Sequence, residues 1–98
     1  MKSKIALRIK EDDLYDEAGD GDDPITKAKR DAISFLLGDG DGITEEELPA
    51  PQTDADLDNL IAALKRDRES MPEYSMFGDP NWQETDAQIR ICEWAKGG

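Results

Sequence analysis

The chain has 98 residues, 24 acidic against 12 basic, with one cysteine and no histidine. That length fits one domain, and a formal net charge of −12 argues against direct binding to nucleic acid or an anionic membrane, leaving basic proteins or cations as the expected partners. Without histidine the usual general base, the Cys–His and Ser–His pairs and the commonest zinc ligand are gone, so no enzyme and no cofactor are expected.

A single cysteine, Cys92, excludes a scaffold built on intramolecular disulfides and agrees with a cytoplasmic setting. No apolar run approaches the roughly 18 residues that span a bilayer. Met1–Lys10 carries cations but no long apolar stretch, unlike a signal peptide. Hydrophobic and charged residues each make up 37% of the chain, close to the composition of disorder, but the apolar residues are grouped, which predicts a folded core.

Lys4 to Lys10 alternates, with Ile5, Leu7 and Ile9 on one side of a period-2 pattern, which predicts a half-buried N-terminal strand. Glu11 to Asp23 holds eight acidic residues, no basic one, and Gly19 and Gly21; it reads as a mobile acidic loop over 11–23, with Leu14 and Tyr15 able to tack it to the core. Pro24 suits a first helical position after an Asp23 cap, apolar residues recur at helical spacing from Ile25 to Leu36, and Gly38 offers a left-handed stop. A helix over Pro24–Leu37 follows.

Asp39 to Gly42 reads as a flexible turn. Thr44 and Glu47 form a capping-box pattern, with Ile43 and Leu48 as a staple, but Pro49 and Pro51 limit the segment to one turn. Asp54–Ser70 carries the clearest helix pattern. Thr53 caps it, three aspartates crowd its start, Lys65, Arg66 and Arg68 sit near its end, and Leu57, Leu60, Ile61 and Leu64 make one stripe. The last segment is two-valued. Thr85 and Gln88 fit a capping box for a helix from about Asp79 or Thr85, whereas Gln88–Ile91 alternates like a strand that could pair with the first one. The helix is preferred. The fold class expected is therefore α+β, mainly helical, with a short N-terminal strand and two to three helices. Its core is drawn from Ile5, Leu7, Ile9, Ile33, Leu36, Leu57, Leu60, Ile61, Leu64, Ile91 and Trp94.

The charge pattern is the main functional signal. Nine acidic residues and no Lys or Arg lie between Asp31 and Leu64, and with 11–23 they make two acidic tracts around Lys27, Lys29 and Arg30. In size and charge the chain is similar to phage inhibitors of restriction, CRISPR and uracil excision that occupy phosphate-binding grooves as DNA mimics; no family motif accompanies the likeness. The expected function is non-catalytic: blocking a basic surface of a nucleic-acid-binding protein. The carboxylates expected to do so are Asp12, Asp13, Asp16, Glu17, Asp20, Asp22 and Asp23, then Asp39, Asp41, Glu45, Glu46 and Glu47.

Two alternatives stand beside it. Asp39-Gly40-Asp41-Gly42-Ile43 resembles the middle of an EF-hand loop, which implies a calcium or magnesium site from Asp39, Asp41 and Glu47. Leu37 falls where the first ligand belongs, and Glu47 comes one residue early. A helical adaptor or oligomer subunit binding through apolar groups is the other, with Tyr74, Met76, Phe77, Trp82 and Trp94 as contact candidates. Cys92 reads as a buried structural thiol, its pKa open to lowering by Arg90. The terminal Gly97-Gly98 pair, shared with ubiquitin-like carriers, reads here as a frayed end.

Overall fold

The N-terminal segment, read from its alternation as a strand, is a helix. A computed structural model describes residues 2–18, 24–38, 42–44, 48–71 and 80–96. It contains four helices, α1 Lys4–Ala18, α2 Pro24–Leu36, α3 Asp54–Glu69 and α4 Pro80–Lys96, and no strand among the described residues. The expected α+β class is thereby corrected to all-helical.

The physical reason lies in backbone satisfaction. A single strand needs a partner for its N–H and C=O groups, whereas a helix pairs them within itself. Ser3 starts α1, its hydroxyl accepting from the Ala6 N–H at 3.2 Å. The helix buries Leu7 and Leu14, seven residues or two turns apart, and both are fully inaccessible. Ile5 and Ile9 fall on the opposite side and stay 74% and 58% exposed, so neither belongs to the core as expected. The helix also runs on through 11–18, where an acidic loop was expected; 19–23 lie outside the described residues.

α2 and α3 follow their sequence signals. α2 starts at Pro24 and ends where Gly38 takes φ +83°, with the Gly38 N–H donating to the Phe35 carbonyl at 3.0 Å. α3 begins after Thr53, whose hydroxyl accepts from the Asp56 N–H at 3.2 Å. α4 resolves the two-valued segment as helix from Pro80. Thr85 does not cap it: Thr85 sits inside the helix, and its hydroxyl donates to the Asn81 carbonyl at 3.0 Å.

α4 packs against both α2 and α3, and α1 packs chiefly against α2. The core joins Leu7 and Leu14 to Ile33, Phe35, Leu36, Leu57, Leu60, Leu64, Ile89, Ile91 and Cys92, with Trp94 partly buried at its edge. Polar ties reinforce the seams. Asp86 on α4 binds Arg68 of α3 at 2.8 Å and Arg90 at 3.1 Å, and the Gln88 side-chain amide donates to the Ala28 carbonyl of α2 at 3.2 Å. The Lys2 N–H donates to the Ala95 carbonyl at 2.7 Å, fixing the entry to α1 beside the end of α4.

Candidate acidic interface

Because α1 continues into the first acidic tract as far as Ala18, Asp12, Asp13 and Asp16 stand on a helix and are exposed. Asp12 and Asp16 are one turn apart on one side of α1, with Asp13 beside them. Glu17 is in the same helix. Of the other expected contact residues, Asp20, Asp22, Asp23, Asp39, Asp41, Glu45, Glu46 and Glu47 lie outside the described residues, and the EF-hand-like reading of Asp39, Asp41 and Glu47 lies there with them. Among the described residues no cluster of three or more acidic or cysteine side chains is placed to hold a metal ion.

Other carboxylates are tied into the fold. Glu11 accepts from the Ser34 hydroxyl of α2 at 3.2 Å. Asp56 accepts from the Gln52 N–H at 3.1 Å, and Asp58 pairs with Lys96 of α4 at 2.7 Å. That contact holds the Lys96 ammonium above its ordinary pKa.

The sequence reading missed the neighbourhood of Trp94. Lys2 and Lys10 approach its ring at 5.0 and 5.8 Å, and an open groove of about 780 Å³ runs between α1 and Trp94, lined by Lys2, Ala6, Ile9, Lys10 and Asp13 among others. The signal available was the i, i+4 spacing of Ile5 and Ile9, obscured by their part in the alternating pattern. Tyr15, 56% exposed, lies under the Arg30 guanidinium at 4.5 Å, and Trp82 lies near Arg68 at 5.6 Å. Tyr74, Met76 and Phe77 lie outside the described residues.

Cys92 is fully inaccessible, and burial, with Glu93 adding to it, pushes its thiol from the ordinary 9.0 up to about 12. Arg90 does not lower it, its guanidinium being engaged by Asp86. Cys92 is a core thiol and no nucleophile at neutral pH. No helix among the described residues is long and apolar enough to cross a membrane.

Comparison with protein-family models, with curated proteins and with solved structures finds no match to this chain. Fold and surface define a small helical protein with an exposed acidic row on its first helix.

Proposed function

We propose that the protein is a non-catalytic binder whose acidic surface occupies the basic face of another protein, one that itself binds nucleic acid. The observation that carries this reading is the exposed row of Asp12, Asp13 and Asp16 on α1. Those three charges span about 6 Å of helix axis, a density close to the one charge per about 1.7 Å of duplex DNA. Their helix is already formed, so binding does not have to order them and the entropic cost of association falls. Single exposed ion pairs contribute under about 1 kcal/mol each, so the row acts collectively, raising the association rate and making binding salt-sensitive.

The test is capture of partners from nuclease-treated lysate of the source organism, with the wild-type chain and with D12K/D13K/D16K as baits. A nucleic-acid-binding protein held by the wild type, released by competing DNA or raised salt and lost with the triple variant, is the expected result. Retention of that partner by the triple variant at physiological salt would sink the reading. Exposed Ile5 and Ile9 favour a second reading, a subunit that associates through apolar contacts, and its signature is binding that high salt leaves intact.

A further inference from the structure

The groove between α1 and Trp94 is built from two adjacent rows of one helix face. Ala6 and Lys10 lie one turn apart, and so do Ile9 and Asp13 beside them. Trp94 of α4 stands across from them, and the bond from the Lys2 N–H to the Ala95 carbonyl keeps Lys2 next to it. The volume, about 780 Å³, is that of a cleft for a small molecule, for which about 300–1,000 Å³ is usual.

Two features of this groove are not explained by the fold. Ile9 remains 58% exposed within it, although its burial would be favourable. The Lys2 and Lys10 ammonium groups both approach the Trp94 ring, at 5.0 and 5.8 Å from its centre, and among the described residues neither is ion-paired to a carboxylate. The ring attracts each cation, but two held so near one indole repel each other. In a chain with twice as many acidic as basic residues, the groove is a local excess of positive charge, and Asp13 is the one carboxylate among its described lining residues.

We infer that the groove binds a small amphipathic monoanion, one carboxylate or sulfonate on a compact apolar body. The anionic group sits between the Lys2 and Lys10 ammonium groups and relieves their repulsion, while the apolar body covers Ala6, Ile9 and the edge of Trp94. Charge selects this class over a nucleic acid or an acidic peptide. A polyanion meets the field of a chain with net charge −12, whereas a single charge meets chiefly the two cations beside it. The inference does not rest on the proposed target binding and is tested on the chain alone.

The probe is 2-naphthoate, titrated to about 10 mM into the 15N-labelled chain, with the two indole N–H signals as readout and W82F to assign them. The Trp94 signal should shift saturably while that of Trp82 stays in place. The neutral 2-naphthamide should bind at least about tenfold more weakly, and hexaglutamate, which has charge without an apolar body, should leave Trp94 unmoved. K2Q/K10Q should weaken 2-naphthoate binding about tenfold and I9Q less, both with unchanged helical circular dichroism. D13N should tighten it, an effect that misfolding cannot imitate. An unmoved Trp94 signal overturns the inference, as does equal binding of the amide or full binding by K2Q/K10Q. Tighter binding of hexaglutamate than of 2-naphthoate overturns it in favour of an acidic peptide.

Discussion

α1 and α3 are of nearly equal length, 15 and 16 residues, and are held in opposite ways. α3 satisfies every local rule: Thr53 caps it, Asp54 and Asp56 occupy its first turn, Arg66 and Arg68 its last, and five residues from Leu57 to Leu64 are buried. α1 has a Ser3 cap, but its charges run against the dipole and only Leu7 and Leu14 are buried on its described side chains. The lesson is that α3 is favoured by its own sequence as well as by packing, whereas α1 depends on two leucines and on the lack of a strand partner.

The sharpest break of that contrast is Leu14→Ala, which removes one of α1's two anchors. It is expected to cost about 2–5 kcal/mol in urea unfolding, a large share of a small domain's stability. A loss below about 1 kcal/mol would show that α1 is held by something other than its leucines. Alkali should act next, on α4, which both sides of the fold share through α2 and α3. The folded state holds the Cys92 proton more tightly than the unfolded chain, so the contribution of Cys92 to stability is constant below pH 9 and falls as pH rises from 9.0 towards about 12. C92A should remove most of that slope, and iodoacetamide should label the native thiol far more slowly than the unfolded one.

A smaller effect separates the helices by their starts. Thr53→Ala should cost about 1 kcal/mol, through loss of its bond to the Asp56 N–H, with the denaturation midpoint as readout. Charge exchange gives the smallest and most diagnostic differences. K4E/D16K aligns α1 with its dipole and should stabilise the fold by about 0.3–1 kcal/mol per site, while D54K/R68E on α3 should destabilise. Equal effects of one sign on both helices would erase the distinction.

Asp54–Glu69 was legible because cap, dipole and stripe agree in the chain itself, and Pro24–Leu36 because its proline start, apolar stripe and Gly38 stop agree. The start of α4 was legible only as a choice between Asp79 and Thr85, because Thr85 and Gln88 imitate a capping box inside a helix that Pro80 begins. Of the candidate contact residues, Asp12, Asp13 and Asp16 were visible as exposed acids, but their arrangement was not. A loop and a helix have the same composition, and only the burial of Leu14 selects the helix. The exposed Ile5 and Ile9 were hidden for the same reason, since alternation and i, i+4 spacing are both present in one short segment.

The sequence by itself determined the acidic charge, the lack of histidine chemistry, and the two helices whose local signals concur. Tertiary structure decided the state of residues 4–18, the direction in which their carboxylates and isoleucines point, and the burial of Cys92. Those outcomes turn on which apolar residues find partners and on whether a backbone can pair with another strand, and both are properties of the assembled chain, beyond the reach of any short window of it.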